Sequence, residues 1–460
     1  MKNETYLILI IMLFSVMSLS GCISGGGDND EVETTTAPPT NAPTTAAPTT
    51  TVPTTVAPTQ PPTTAPATPA YVHNECSTLY MNQYSGNTRY YGCGISSDPE
   101  EVWSLDIEIP LSYIMADYDR IFYLDRTQSN YKLKCRDVNT GDLYWETSVP
   151  WLGFYELLLQ DEKLYIFKND EENTLICYDA HDGSMLWTSE DIYDIYPDVG
   201  ELYARSMNCS DGKILLYLSS YHNEVNNNVF CCFNANNGNI IWHTNKNEYD
   251  NSSNHPSIDG GVMYYSAAKF EDWTSYSKII GLDIDTGNVA YQYTPPERYD
   301  QLNGRNIVVS DGLIYAMTFD KSYETARCCM ICISKASNNI VWSSDIGDNW
   351  GVHFIVGADQ VVVIMQEEII CLDKGTGNKV WSIPMDYHTV NIPIATSDYL
   401  LVFRAQYQAE IQPQLLLIDN ESGEEVWRFT LDGNYIQNGA SFYGEKILIG
   451  TDVGKLYCFE

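Results

Sequence analysis

Cysteine, aspartate and histidine are the residue types here that could carry chemistry, and their spacing decides which chemistry. The 460 residues include 13 cysteines and 7 histidines. Cys329-Met-Ile-Cys332 has the spacing of half a zinc site, but we expect it within a strand, where neighbouring side chains face opposite sides. Asp283-Ile-Asp285-Thr-Gly287 begins like a calcium loop but lacks the later bidentate glutamate.

Histidine and serine give no stronger signal for catalysis. The histidines are scattered, without the His-x-His or His-x-x-x-His spacing that suits zinc, and no serine lies in a G-x-S-x-G elbow. We therefore predict no catalytic residues and no metal ligands. The remaining question is which elements the aspartates and glycines belong to.

A nine-residue pattern recurs through most of the chain: an aspartate, a turn ending in glycine, and a tryptophan four positions later. Asp373 to Trp381, read as DKGTGNKVW, is the clearest copy. Other good copies begin at Asp137, Asp179, Asn234 and Asp419. Two copies are eroded, since the one from Asp283 ends in Tyr291 and the one from Ser334 lacks both aspartate and glycine.

The spacing of the repeat predicts the fold. Adding Trp103, the anchor residues stand at 103, 145, 187, 242, 291, 342, 381 and 427, roughly one propeller blade of about 46 residues apart. Alternation of apolar and polar residues on both sides of the turn, as in Leu105, Ile107 and Ile109, is that of strands. A second turn and apolar strand precede each repeat, which gives four strands per blade.

The repeat residues are therefore predicted to be structural. The aspartate accepts hydrogen bonds from turn amides, glycine supplies a positive φ, and tryptophan packs between blades. These turn and anchor residues are Trp103, Asp137, Gly141, Trp145, Asp179, Gly183, Trp187, Gly238, Trp242, Asp283, Gly287, Trp342, Asp373, Gly377, Trp381, Asp419, Gly423 and Trp427.

The two ends of the chain complete one another. The chain stops at Glu460, after a strand that should precede a glycine turn, while Trp103 begins an outer strand that lacks its predecessor. Pairing them completes an eighth blade and leaves no open sheet edge at the seam. We predict an all-β, eight-bladed propeller of four-stranded antiparallel blades, closed by the C-terminal strands and an N-terminal strand.

Six of the 13 cysteines occupy equivalent positions two residues before the aspartate of the repeat. Equivalent sites in different blades lie too far apart to bridge, so we interpret them as buried packing residues. These are Cys135, Cys177, Cys232, Cys332, Cys371 and Cys458.

The N-terminal region predicts export. An apolar run from Leu7 to Met17 precedes Leu19-Ser20-Gly21-Cys22, which resembles a lipobox. We predict a signal peptide over 1–21, a lipid on Cys22, a disordered Thr/Pro-rich stalk over 22–70 and the propeller over 71–460. The location is then extracytoplasmic, at the cell surface or envelope, with the Cys22 lipid as the sole membrane contact.

The surface charge and the short sequence motifs bear on partners. A formal charge of −36 excludes nucleic acid as a partner. Asn208, Asn251 and Asn420 each begin an N-glycosylation triplet. Tyrosines in expected loops, such as Tyr196 and Tyr299, are candidates for a binding surface.

The D-x-x-T-G-x-x-x-W repeat, preceded by a strand such as Ile369-Ile-Cys-Leu-Asp373, resembles that of the PQQ-like (quinoprotein-like) β-propeller family. The segment from Tyr80 to Tyr90 is similar to the one that leads into those propellers. Cys76 and Cys93 flank it and are the best candidates for a disulfide. The family contains quinone-dependent dehydrogenases and cofactor-free binding propellers, among them the lipoprotein of the outer-membrane β-barrel assembly machinery.

The resemblance implies two candidate functions, a quinone-dependent dehydrogenase and a cofactor-free binding propeller. Dehydrogenases of this family carry a vicinal disulfide over the cofactor, in a loop, with calcium ligands and a catalytic aspartate nearby. Cys231-Cys232 and Cys328-Cys329 are adjacent pairs here, but the first is expected inside a strand. We therefore predict a non-catalytic scaffold for a protein or glycan partner, bound by loops of one propeller face. The alternatives are a dehydrogenase using PQQ and calcium, and a purely structural envelope component.

Overall fold

A computed structural model describes the propeller region of the chain. The described residues are 94–110, 114–127, 130–150, 157–169, 173–196, 202–222, 225–244, 251–252, 256–271, 274–299, 301–320, 327–347, 351–365, 367–385, 394–404, 412–433 and 436–460. The predicted signal peptide, Cys22, the stalk, Cys76 and Cys93 lie outside these ranges, so their assignments stay predictions.

The described part is built of strands, with two single-turn 3₁₀ helices at Ile192–Asp194 and Glu297–Tyr299. Within these ranges no helix is long and apolar enough to cross a membrane. The chain starts with β1 (Glu101–Asp106). Blade 1 follows with β2 (Ile109–Pro110), β3 (Met115–Asp117), β4 (Arg120–Thr127), β5 (Asn130–Asp137) and β6 (Leu143–Val149). Blade 2 has β7 (Leu157–Gln160), β8 (Lys163–Asn169), β9 (Asn173–Asp179) and β10 (Met185–Thr188).

The next three blades follow the same order. Blade 3 has β11 (Tyr203–Ser210), β12 (Lys213–His222), β13 (Val225–Asn234) and β14 (Ile240–His243). Blade 4 has β15 (Asn251–Ser252), β16 (Ser257–Asp259), β17 (Val262–Glu271), β18 (Thr274–Asp283) and β19 (Val289–Tyr293). Blade 5 has β20 (Leu302–Ser310), β21 (Leu313–Asp320), β22 (Arg327–Ser334) and β23 (Ile340–Gly347).

The last three blades complete the ring. Blade 6 has β24 (Gly351–Val356), β25 (Gln360–Met365), β26 (Glu368–Asp373) and β27 (Lys379–Pro384). Blade 7 has β28 (Ile394–Ala395), β29 (Tyr399–Arg404), β30 (Gln414–Asp419) and β31 (Glu425–Thr430). Blade 8 has β32 (Ile436–Tyr443), β33 (Lys446–Thr451) and β34 (Lys455–Phe459), with β1 as its outer strand.

Ring closure follows the same register as the other blades. Trp103 of β1 lies opposite Cys458 of β34, just as Trp381 lies opposite Cys371 within blade 6. Main-chain bonds of 3.0 Å in both directions between Glu100 and Glu460 extend the pairing past the strand ends. The predicted eight blades and their closure by the two chain ends are confirmed.

The core is a ring of interblade layers rather than one central mass. Eight clusters of buried apolar side chains each draw on two neighbouring blades, one cluster per seam. Both faces of a blade are therefore buried, which is why β25 reads as the unbroken run Gln-Val-Val-Val-Ile-Met. Most of the exposed large apolar residues lie on the outer strands, one or two positions before the anchors, as at Val380.

Five of the tryptophan anchors pack directly on the glycine turn of the following blade. A Cβ placed on Gly377 would lie 2.5 Å from the Trp342 ring, and one on Gly423 would lie 2.8 Å from the Trp381 ring. The indole Nε1 donates to the main-chain oxygen that follows the first residue of the repeat: Trp342 to Lys374 at 3.0 Å. Only glycine leaves room for this contact.

Two anchors depart from this bonding pattern because their acceptors are taken. The Trp145 and Trp187 Nε1 atoms have no hydrogen-bond partner among the described residues. The oxygen that Trp145 would reach, that of Ala180, accepts from Arg120 at 3.3 Å. The equivalent oxygen for Trp187, that of Ala235, accepts from the Tyr165 hydroxyl at 3.1 Å. Polar groups from the second strand thus replace the indole bond.

Candidate functional site

Seven blades present two turns at one end of the ring, which we call the turn face. One turn joins the first and second strands, and the other is the repeat turn between the third and fourth. In blade 8 the paired chain ends, Glu100 and Glu460, take the place of the repeat turn. The first turn, or the residue beside it, carries an acid in every blade: Asp119, Asp161, Glu162, Asp211, Asp259, Asp311, Asp359, Asp398 and Glu445. This face is therefore strongly acidic.

The basic side chains of the turn face are bonded to neighbouring groups. Five of them bridge adjacent blades and the sixth pairs within blade 8: Arg120 to the oxygen of His181, Lys163 to Asn236, Lys213 to Asp285, Lys335 to Asp259, Lys374 to Asp311 and Lys446 to Glu460. These bonds help to hold the ring together. The acids of the face that have no basic partner leave a surplus of negative charge facing solvent.

The strongest candidate site is a cavity of about 350 Å³ at the turn face between blades 6 and 7. Its floor is apolar and its rim is polar. The lining residues are Ile355, Gly357, Ala358, Asp359, Gln360, Val362, Ala395, Ser397, Asp398, Asp419, Asn420 and Glu421. Four of these are acids and none is basic, which gives a concave site with an apolar base and convergent negative charge.

Two positions that are large at the two preceding seams are small at this one, which leaves space for the cavity. The third residue of the second strand is Tyr264 in blade 4 and Tyr315 in blade 5, but Val362 in blade 6. The residue after the first position of the following repeat is Lys335, then Lys374, then Asn420. A tyrosine and a lysine occupy these positions at the seams between blades 4 and 5 and between blades 5 and 6, with Lys335 Nζ 4.8 Å from the Tyr264 ring centre.

Hydrogen bonds fix the acids on the rim. Asp419 Oδ1 accepts from the Ser422 amide and hydroxyl, both at 2.7 Å, and these bonds hold the pKa of Asp419 below its ordinary value. The Ser397 hydroxyl donates to Asp398 Oδ2 at 2.8 Å. A second, smaller cavity of about 110 Å³, which Arg404 lines, opens at the same seam. Both cavities thus open between blades 6 and 7.

The residues predicted from the repeat lie at turns and seams, and of them only Asp419 lines this cavity. In the other copies the aspartate accepts turn amides, as Asp373 Oδ1 does from Thr376 at 2.8 Å. In the calcium-like segment from Asp283, Asp285 pairs with Lys213 at 2.7 Å and Asp283 accepts the turn amides. The described residues hold no group of three or more His, Cys, Asp or Glu arranged to bind a metal.

Two of the three glycosylation triplets fall on buried asparagines. Asn208 lies within β11 and is 4% exposed. Asn420 is 8% exposed, and its Nδ2 donates to the Thr396 oxygen at 2.9 Å. Neither side-chain nitrogen is accessible in the folded propeller. The triplets there arise from strand and turn packing.

The adjacent cysteines do not fit a quinone site. Cys231 and Cys232 lie in the regular part of β13, and their side chains enter different seam clusters, between blades 2 and 3 and between blades 3 and 4. Burial raises the pKa of both thiols to about 12, so neither is a reactive thiolate. Cys328 and Cys329 are likewise buried within β22. Neither pair forms the loop-borne cover that a quinone dehydrogenase needs.

The loop tyrosines pack inside the ring. Tyr196 is 7% exposed, and its hydroxyl contacts His243 Nδ1 at 3.1 Å. Tyr299 is 5% exposed, and its hydroxyl contacts Ser343 Oγ at 3.1 Å. Both are core residues rather than parts of a binding surface. Alignment of the blades shows the sequence feature that marks the cavity. Val362 stands where blades 4 and 5 have tyrosine, and Asn420 stands where blades 5 and 6 have lysine.

The closed ring, the repeat turns and the turn-face cavity define the class of protein as an eight-bladed β-propeller. A family model described as "Outer membrane protein assembly factor BamB" matches residues 96–220, 199–383 and 329–413. The chain belongs to that family of PQQ-like repeat propellers. No curated protein matches it by sequence.

Solved structures share the fold at low sequence identity. BamB from Moraxella catarrhalis is 15% identical, with a TM-score of 0.53 over 79% of this chain and 99% of its own. Quinohemoprotein alcohol dehydrogenase from Comamonas testosteroni is 12% identical, with a TM-score of 0.60 over 84% and 80%. The designed protein Ika8 is 10% identical, with a TM-score of 0.59 over 78% and 99%. At these identities the likeness describes the fold alone.

Proposed function

We propose that this chain is a non-catalytic binding scaffold, anchored to the membrane by a lipid on Cys22 and exposed outside the cytoplasm. It binds a protein partner through the turn face. The observation that carries the proposal is the charge of that face: every blade contributes an acid there, while its bases are bonded to neighbouring groups. Such a surface favours a partner with a basic patch.

Family membership and the buried cysteine pairs support binding over redox catalysis. The adjacent thiols enter separate seams, and the acids of the calcium-like loop are bonded to turn amides and to Lys213. A quinone dehydrogenase is the rival function. Addition of PQQ and calcium to the purified protein, with alcohols or sugars and a dye acceptor, tests it. Robust turnover would refute the scaffold proposal.

Partner binding is tested by crosslinking on intact cells with two matched variants. The first neutralises four turn-face acids away from the cavity: Asp161→Asn, Glu162→Gln, Asp211→Asn and Glu445→Gln. The second neutralises four exposed acids elsewhere: Asp106→Asn, Glu108→Gln, Glu190→Gln and Glu297→Gln. We expect the first set to reduce capture severalfold, more so at low salt where the charges are least screened, and the second to leave it unchanged. Equal capture by both variants would contradict the proposal.

Lipid anchoring has its own test. Cys22→Ser removes the thiol that would carry the lipid, and the expected result is release of the propeller from the membrane fraction. Because the substitution lies far along the chain from the propeller, its folding should be unaffected, which circular dichroism checks. Membrane association that persists in Cys22→Ser would refute lipid anchoring.

A further inference from the structure

Lysines close the turn-face seams in two ways. In the first, a lysine that begins the second strand reaches forward to the repeat turn of the next blade: Lys213 Nζ lies 2.7 Å from Asp285 Oδ1. In the second, a lysine of the repeat turn reaches back to the first turn of the preceding blade: Lys374 Nζ lies 2.9 Å from Asp311 Oδ2. Lys335 repeats the second arrangement with Asp259 at 2.6 Å. In all three, an ammonium group sits between two blades.

The seam between blades 6 and 7 has an acid in both turns but neither lysine. Glu421 takes the position of Asp285, but the residue facing it from the second strand is Gln360. Asp359 lies in the first turn of blade 6, but the residue that would reach back to it is Asn420. Gln360 Nε2 donates to the Asn420 oxygen at 2.9 Å. Because Gln360 and Asn420 are uncharged, neither neutralises the carboxylate of Asp359 or Glu421.

Asn420 makes one of the two kinds of hydrogen bond that Lys374 makes at the preceding seam. Lys374 Nζ donates to the Gly357 oxygen of its own blade at 3.0 Å as well as to Asp311. Asn420 Nδ2 donates to the Thr396 oxygen at the equivalent place in its own blade, 2.9 Å away, and its short side chain ends there. It is buried, it lines the cavity, and its Oδ1 has no hydrogen-bond partner among the described residues.

We propose that this cavity binds a primary ammonium group on a flexible alkyl chain, as found at the end of a lysine side chain. The ammonium would take the place that lysine occupies at neighbouring seams, donating to Asp359, Glu421 and the free Oδ1 of Asn420. Its three donors match three acceptors. The methylene groups would lie against the apolar floor of Val362 and Ala395.

This inference rests on the proposed function, for which it names the group recognised on the partner. Asp359 and Glu421 are exposed, so water screens their attraction for a single cation. One ammonium should therefore bind weakly, with a Kd of about 1 mM. A partner that combines such a lysine with further contacts on the turn face would bind more tightly.

The direct test is titration calorimetry on the full chain with small probes. n-Butylammonium and Nα-acetyl-lysine methylamide should both saturate one site, and affinity should fall at least threefold between 50 and 300 mM NaCl. n-Butanol and the Nε-acetylated lysine probe have no charge and should not bind. Binding of butylammonium without binding of the lysine probe would assign the site to free amines rather than to a protein lysine. Equal binding of butanol would overturn the proposal.

Three variants locate the site. Asp359→Asn and Glu421→Gln should each weaken n-butylammonium binding at least fivefold. Asn420→Lys should abolish it, because the new side chain would recreate the seam of blades 5 and 6. The matched double change Tyr315→Val with Lys374→Asn, which copies both small positions, should open a second butylammonium site beside Asp311. Circular dichroism confirms folding of each variant, and unchanged affinity in both Asp359→Asn and Asn420→Lys would refute the assignment.

The scaffold proposal and the ammonium-site proposal can be refuted independently of each other. If no partner is captured on cells but n-butylammonium binds and Asn420→Lys blocks it, the scaffold proposal is wrong and the ammonium site stands. If a partner is captured through the turn face but butylammonium does not bind, the ammonium site is wrong and the scaffold proposal stands.

Discussion

Replacement of Gly377 by alanine should destabilise the propeller far more than the same replacement at Gly312. Both residues have a positive φ, +72° and +74°, so the backbone cost for alanine is the same at both, about 1–2 kcal/mol. Nothing lies within 4 Å of a Cβ at Gly312, whereas a Cβ at Gly377 would lie 2.5 Å from Trp342 Cε3. The Trp342 ring must therefore move in Gly377→Ala.

The additional cost can be worked out from the contacts that move. Overpacking of a buried site costs about 1–3 kcal/mol. Loss of the bond from Trp342 Nε1 to the Lys374 oxygen, 3.0 Å long, adds about 1 kcal/mol. The expected loss is therefore about 3–6 kcal/mol for Gly377→Ala against about 1–2 kcal/mol for Gly312→Ala.

Urea unfolding followed by both far-ultraviolet circular dichroism and tryptophan fluorescence measures these losses, and coincident transitions show that unfolding is cooperative. The double variant Trp342→Ala with Gly377→Ala gives the coupling, because alanine at 377 should cost only its backbone strain once the ring is gone. Equal losses for Gly377→Ala and Gly312→Ala would refute the docking of the indole on the glycine turn.

Three further predictions concern the closure, the turns and the thiols. Deletion of residues 454–460 removes β34 from between β33 and β1, and should lower the urea midpoint of the whole ring; an unchanged midpoint would contradict closure by this strand. Hydrogen bonds from Thr376 and Ser422 hold the pKa values of Asp373 and Asp419 below the ordinary 3.8, so the stability they contribute is present above about pH 4 and is lost as pH falls through the lowered values. Asp373→Asn with Asp419→Asn, which copies the natural Asn234, should flatten the acid limb of stability measured by urea unfolding, and an identical acid limb would refute this. Burial raises the pKa of Cys135 and Cys371 to about 12, so iodoacetamide at pH 8 should label them only after unfolding, as read by peptide mass spectrometry; rapid labelling of the native protein would contradict their burial.

Much of the fold follows from short-range sequence features. The period of two in strands and the glycine at each repeat turn are local properties, and their recurrence through the chain sets the number of blades. The strand that ends at Glu460 and the one that begins beside Trp103 are each incomplete alone, which is why their pairing could be predicted. The membrane anchor at Cys22 is likewise a local motif, and it stays a prediction.

The site depends instead on residues brought together from different blades. Val362 and Asn420 are ordinary strand and turn residues in sequence, and the cavity arises because both are small at one seam. Asp419 shows the same limit, since its role in the turn is readable from the repeat but its place on the cavity rim is not. Sequence alone determined the ring and its turns, because those are set by neighbours along the chain. Tertiary structure decided which seam stays open, because each seam is filled by side chains from two separate repeats.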